Sequence, residues 1–293
     1  MARSKRKSII GIPPEDIADP NDNSGTSMVG TYNIKEHYKQ AQESKFSEIQ
    51  NKYGETFPRS GLQIWYDANI SNSWSGGLPV NDVSGNSRNA NWNAGMGSDT
   101  HTTTGGDTVN IWKITNNTRY LIGPASNALG LDGHSFTLGM TLYVASTAQS
   151  VAFSFVRDSS MTDSNDRALS LHMKWTDGRT YFDTHADGSG YNRLAGSVNG
   201  IPNSEWVTAF FTADSNGTDS MTKKIYVDGS EVDSGTTSTR VALNLGTAAS
   251  HWFYGNNAYQ STYQPNWYSC AGLWNRALTS TEIATAHSLI DIS

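Results

Sequence analysis

Lys224-Ile225-Tyr226-Val227-Asp228-Gly229, followed downstream by Gly272-Leu273-Trp274-Asn275-Arg276-Ala277-Leu278, is the sequence on which the fold turns. Ile225 and Val227 alternate with their neighbours as a strand with one buried face does, and Asp-Gly reaches the positive φ that a two-residue hairpin loop needs. The second segment reads as a short strand that gives way to a helix. Thr279 and Glu282 hold the spacing of a capping box, just ahead of the apolar positions Ile283, Ala286 and Ile290.

Earlier segments repeat the strand pattern. Gly61-Leu62-Gln63-Ile64-Trp65-Tyr66-Asp67-Ala68 reads as an opening strand and leads to a turn-rich element, Asp82-Val83-Ser84-Gly85-Asn86. Ser135 to Val144 and Glu205 to Phe211 are further apolar strands in the same order. Taken in order, these motifs resemble a laminin G-like domain of the concanavalin A-like superfamily, from about residue 60 to the end. The resemblance implies an all-β, two-sheet antiparallel jelly-roll sandwich over residues 60–293. It also implies a domain that holds surfaces and ligands more often than it cuts bonds, and it leaves the ligand open, because one fold hosts many functions.

Composition agrees with that architecture. Only 36% of the 293 residues are hydrophobic and 16% charged, beside 27 glycines and 11% aromatics, which suits a sandwich with long polar loops. Cys270 is the single cysteine, so no disulfide can form within the chain, and its place in the closing strand reads as a small buried hydrophobe. A net charge of −6 argues against a nucleic-acid partner. No segment reads as membrane-spanning, and Ser8-Ile9-Ile10-Gly11-Ile12 is too short for the apolar core of an export signal. The expectation is synthesis in a host cytoplasm and residence in a virion.

Residues 1–31 form an extended N-terminal arm, rich in Pro, Asp, Asn, Ser and Gly and unable to fold alone. Residues 32–59 follow as an amphipathic helix and linker. The helix is predicted from Asn33 to Tyr53, with Ile34, Tyr38, Ala41 and Ile49 on one face and Tyr53 flanking it. One reading makes this a docking arm, with Arg3, Lys5, Arg6 and Lys7 at a basic tip and Ile34, Tyr38, Ile49 and Tyr53 as the contact stripe. The other lays the helix back on its own sandwich. The docking reading leads to a bacteriophage virion structural protein, a capsid decoration or tail-fibre component, oligomeric at its attachment point. The alternative is a soluble, lectin-like carbohydrate-binding module or host-recognition adhesin that meets a cell-surface glycan.

Chemistry is sparsely signalled. A retaining glycosidase needs two carboxylates about 5–5.5 Å apart, and the glutamates of the domain, Glu205, Glu231 and Glu282, are widely separated in sequence. A turn at Asp177-Gly178 sets His172 opposite Asp183 and Ser170 opposite His185 on the polar face of a hairpin. That set reads as a solvated strand face, with neither the buried orienting carboxylate nor the oxyanion site of a triad, and the chain is expected not to be an enzyme. Asp158, Asp163 and Asp166, with Ser159 and Asn165, crowd one loop with oxygen donors that suit calcium, although the same residues are ordinary turn formers. In the aromatic-rich run from His251 to Tyr268, Trp252, Tyr254 and Trp267 read as strand residues. Tyr259 and Tyr263, with Asn257 and Gln260 beside them, read as exposed rings and amides for a glycan or a protein partner.

Overall fold

The computed structural model describes residues 47–77, 79–92, 97–113, 120–123, 129, 131, 135–144, 150–156, 167–185, 191–215, 220–237, 251–255 and 266–293. The chain divides into two compact units, Met1–Ser44 and Lys45–Ser293, and every described residue belongs to the second. Two sheets form the body, and every strand pairing described in them is antiparallel.

The first sheet runs β13 (Ser230–Thr237), β12 (Met221–Val227), β11 (Trp206–Ser215), β6 (Phe136–Val144), β15 (Asn266–Trp274), β4 (Thr108–Lys113), β3 (Gly97–Thr102), with β1 (Leu62–Asp67) also paired to β15. The second runs β10 (Tyr191–Val198), β9 (Arg179–His185), β8 (Arg167–Lys174), β7 (Ser150–Val156), β14 (His251–Gly255), β5 (Tyr120–Ile122), β2 (Asn91–Trp92). This is the sandwich that the strand motifs imply. Asp228 and Gly229 take φ of 47° and 76°, and Val227 pairs with Ser230 across them, so the hairpin closes as its sequence requires.

Strand alternation sends Leu138, Met140 and Leu142 of β6 and Val207, Ala209 and Phe211 of β11 into the inter-sheet core. The opposite face of the first sheet is buried as well, because helices cover it. Helix α1, residues 47–53, and helix α2, Ser280–Ile290, lay Ile49, Tyr53, Ile283, Ala286 and Ile290 over Trp65, Phe210 and Trp274. Small residues on that face make the approach feasible. A Cβ built on Gly139 would stand 2.5 Å from the Phe210 ring. Thr137 Oγ1 donates to the carbonyl of Arg276 at 2.9 Å and accepts from Leu278 N at 2.9 Å, while Thr141 Oγ1 donates to the carbonyl of Ile290 at 2.9 Å. Helix α2 starts at the capping box read from the sequence, with Thr279 accepting from Glu282 N.

Ile49 and Tyr53, expected on a stripe that docks a partner, are therefore buried against their own sandwich. Tyr53 stacks near Phe57, which lies 4.8 Å from Trp65, and its hydroxyl donates to buried Asp67. Trp274 Nε1 donates to the carbonyl of Pro58 at 2.6 Å, which fixes the linker on the same face. The other docking residues, Arg3, Lys5, Arg6, Lys7, Ile34 and Tyr38, lie outside the described residues. Among the described residues no helix is long and apolar enough to cross a membrane.

Candidate functional site

The turn-rich element after β1 is held by one buried carboxylate. Asp82 accepts from the backbone of Trp65 at 3.0 Å, Ser84 at 2.9 Å and Arg88 at 3.0 Å, and from Ser84 Oγ at 2.9 Å. Asn86 Nδ2 reaches the carbonyls of Leu62 and Gln63, both at 3.1 Å. These contacts consume the polar groups of the Asp82–Asn86 motif and leave it structural. They also present the preceding loop, residues 68–77, toward the β3–β4 hairpin. Asn69 anchors that hairpin by imitating a strand: its Oδ1 accepts from Asn110 N at 2.6 Å, and its Nδ2 donates to the Asn110 carbonyl at 3.1 Å.

Between loop and hairpin lies a cleft of about 440 Å³. Trp74 forms its apolar floor, set edge-to-face on Trp112 at 6.5 Å. Ser75 and Gly76 form one wall, and Ser98, Asp99, Thr100 and Asn110 the other. The hairpin register explains the second wall: Ser98 pairs with Trp112 and Thr100 with Asn110, so these residues share a face. Asp99, paired with Ile111, turns its carboxyl to the opposite face, where Lys113 Nζ at 2.8 Å and the backbone of Thr100 at 2.9 Å hold it below the usual range. The cleft thus joins an indole floor to hydroxyl and amide groups, and its size lies within the roughly 300–1,000 Å³ of small-molecule sites. Sequence reading missed it because one wall comes from a loop and the other from a hairpin further along the chain, and no motif links them.

The Ser/His/Asp set on the β8–β9 hairpin is brought together, in a setting the sequence did not suggest. The turn has three central residues: Gly178 N donates to the Trp175 carbonyl, Trp175 N donates to the Arg179 carbonyl, and Gly178 takes φ of 78°. Ser170 consequently faces Asp183, and His172 faces Tyr181. The slip is even, so the faces are as expected. The face itself is buried, with Ser170, His172 and Asp183 all at 3% exposure or less, which corrects the reading of a solvated surface. Asp183 is gripped by Arg193 at 2.8 and 2.7 Å. His172 Nε2 stands 3.7 Å from Asp183, beyond hydrogen-bond range. The guanidinium of Arg193 also lies 4.1 Å from the Tyr181 ring centre, so the cluster reads as a bracing of strands.

Asn257, Tyr259, Gln260 and Tyr263 lie outside the described residues, as do Asp158, Asp163 and Asp166. Among the described residues no group of three or more His, Cys, Asp or Glu side chains is placed to hold a metal ion. Trp267 is on a strand, as read, yet its side chain faces outward. It stacks on Tyr143 at 4.6 Å and 13°, and Lys113 Nζ covers it at 4.5 Å. Trp206, 7% exposed, continues this row 5.8 Å from Tyr143.

The two antiparallel sheets, packed face to face over one core, define the class as a β-sandwich. The family model for the Concanavalin A-like lectin/glucanases superfamily matches residues 115–284, more than half of the chain, and the chain belongs to that superfamily. No curated protein matches it in sequence. The receptor-binding domain of botulinum neurotoxin type G is similar in structure, with a TM-score of 0.53, 13% identity, and coverage of 78% of this chain and 51% of that one. The ligand-binding domain of botulinum neurotoxin serotype D, solved in complex with N-acetylneuraminic acid, gives 0.52, 12%, 78% and 51%. A Trypanosoma rangeli sialidase in complex with 2,3-difluoro-KDN gives 0.54, 15%, 87% and 39%. The chain spans about half the length of these toxin domains and less of the sialidase.

These findings overturn the expectation of a bacteriophage virion structural protein. The similar structures are toxin binding domains and a sialidase, and the family is that of lectins and glucanases, so the capsid-decoration and tail-fibre reading gives way to its lectin-like alternative. The docking stripe behind that expectation has its described members, Ile49 and Tyr53, sunk in the sandwich.

Proposed function

We propose that this chain is a carbohydrate-binding, lectin-like module that works by recognition rather than turnover. The observation that carries the proposal is the Trp74 cleft: an indole floor offers apolar area to the C–H face of a sugar ring, and Ser98, Thr100 and Asn110 offer donors and acceptors to its hydroxyls. The serotype D ligand-binding domain, similar in fold over about half its length and solved in complex with N-acetylneuraminic acid, supports a glycan as the class of ligand. Binding without catalysis is supported by the buried Ser170, His172 and Asp183 cluster, whose carboxylate is already engaged by Arg193.

The test is a glycan array followed by calorimetry on the strongest hit, comparing the wild type with Asn110→Ala and Thr100→Ala. Both positions are exposed, so folding is retained and checked by melting. Each variant is expected to lose roughly tenfold in affinity, the worth of one hydrogen bond to a ligand hydroxyl. Absence of any glycan hit, or full binding by both variants, refutes the proposal.

A further inference from the structure

A second cleft, of about 340 Å³, is lined by Asn72 of the loop that carries Trp74 and by Glu48, Asn81, Asp82, Val83 and Asn89. Its polar groups are partly spoken for. Glu48 Oε1 accepts from Asn72 Nδ2, Asn81 Nδ2 donates to the Asn72 carbonyl at 2.9 Å, and Asn89 Oδ1 accepts from Asp82 N at 2.9 Å. The carboxylate of Asp82 is saturated by its four donors from Trp65, Ser84 and Arg88. One atom stands out. Glu48 Oε2 is buried and has no hydrogen-bond partner among the described residues. A buried carboxylate oxygen without a donor is costly, and such an orphan in a cleft marks the place where a ligand donor completes the site.

We infer that this second cleft is an additional sugar subsite, in which Glu48 Oε2 accepts a hydroxyl of an oligosaccharide whose neighbouring unit occupies the Trp74 cleft. The inference rests on the carbohydrate reading above. The groups left over after the internal bonds are acceptors at Glu48 Oε2, Asn72 Oδ1 and Asn81 Oδ1 and a donor at Asn89 Nδ2. A polyol, which brings several donors and acceptors on adjacent carbons, matches that set. A divalent cation matches it poorly. Calcium takes six to eight oxygens, with several carboxylates among them, and here one carboxylate is already saturated by backbone and hydroxyl donors. The two clefts share one loop, with Asn72 lining one and Trp74, Ser75 and Gly76 lining the other, so a single chain of sugar units can address both.

The experiment titrates the full chain with the monosaccharide, disaccharide and trisaccharide of the best array ligand, using wild type, Glu48→Gln and Asn110→Ala. Glutamine keeps the size of Glu48 and supplies an N–H where an acceptor is required. The expected result is that affinity rises by roughly tenfold or more with chain length in the wild type, and that Glu48→Gln removes this gain while leaving monosaccharide binding unchanged. Asn110→Ala weakens ligands of every length. A trisaccharide that binds no better than the monosaccharide, or a chain-length gain that survives Glu48→Gln, overturns the inference and leaves the carbohydrate reading standing. Saturable binding of calcium alone that is lost in Glu48→Gln also overturns it, by assigning the orphan oxygen to a cation. Failure of every sugar to bind sinks both.

Discussion

Lys223 gives the core its clearest test. The residue lies on the core-facing side of β12, fully buried between the sheets, with Nζ donating to the Asn192 carbonyl at 2.7 Å, Thr184 Oγ1 at 2.9 Å and the Phe182 carbonyl at 3.3 Å. Burial lowers its pKa from 10.5 to about 7, against the opposing pull of Asp183. In that interval the unfolded chain holds the proton and the folded chain does not, so the stability contributed by this position rises with pH. Below the folded value both states are charged, and the cost of burying the ammonium is felt in full. Between pH 6 and pH 9 the linkage integrates to roughly 2–3 kcal/mol, from the worth of one pKa unit. Lys223→Met keeps the shape and removes the titration. Urea unfolding followed by tryptophan fluorescence across this range should show the wild type gaining roughly 2–3 kcal/mol relative to the variant from pH 6 to pH 9. Groups elsewhere titrate in both proteins and cancel in the difference. Parallel stability profiles would refute the reasoning and mean that three acceptors keep the amine charged throughout.

Ile49→Ala should destabilise the sandwich by roughly 2–5 kcal/mol in the same urea assay, because the side chain is fully buried in the layer over Trp65 and Trp274; a negligible change would restore α1 to the role of a detachable arm. Gly272→Ala should cost roughly 1–3 kcal/mol, since its Cβ would stand 2.4 Å from the Trp65 ring and 3.1 Å from the Ile64 carbonyl, and a melting temperature equal to the wild type would contradict the packing. Cys270, buried and with its thiol pushed up to about 12 by that burial, should resist aromatic disulfide reagents at neutral pH until urea unfolds the chain. Rapid labelling of the native protein would show that this layer opens.

What could be read from the sequence was punctuation. Asp228-Gly229 has one comfortable use, a tight hairpin, and Thr279 with Glu282 has one, a helix start, so both are found where local chemistry put them. The β8–β9 turn shows where such reading fails. Asp177-Gly178 serves a two-residue or a three-residue loop equally well, and the choice rests on which residue takes positive φ: here only Gly178 does, whereas Asp228 joins Gly229 in the other hairpin. Amphipathic patterning has a similar blind spot. The stripe through Ile49 and Tyr53 announces that something covers it and carries no information on what. The answer lies in a bond from Trp274 to Pro58 and another from Tyr53 to Asp67, contacts made across long stretches of chain. The clefts were harder still. Trp74, Ser98 and Asn110, or Glu48, Asn72 and Asn89, are common turn and surface residues until the register of β3 with β4 and the anchoring of the hairpin by Asn69 set them side by side. A cleft built from a loop and a distant hairpin leaves no periodic trace, and in such a chain the useful clue is a physical defect of the folded state, here the buried carboxylate oxygen of Glu48 that no donor among the described residues satisfies.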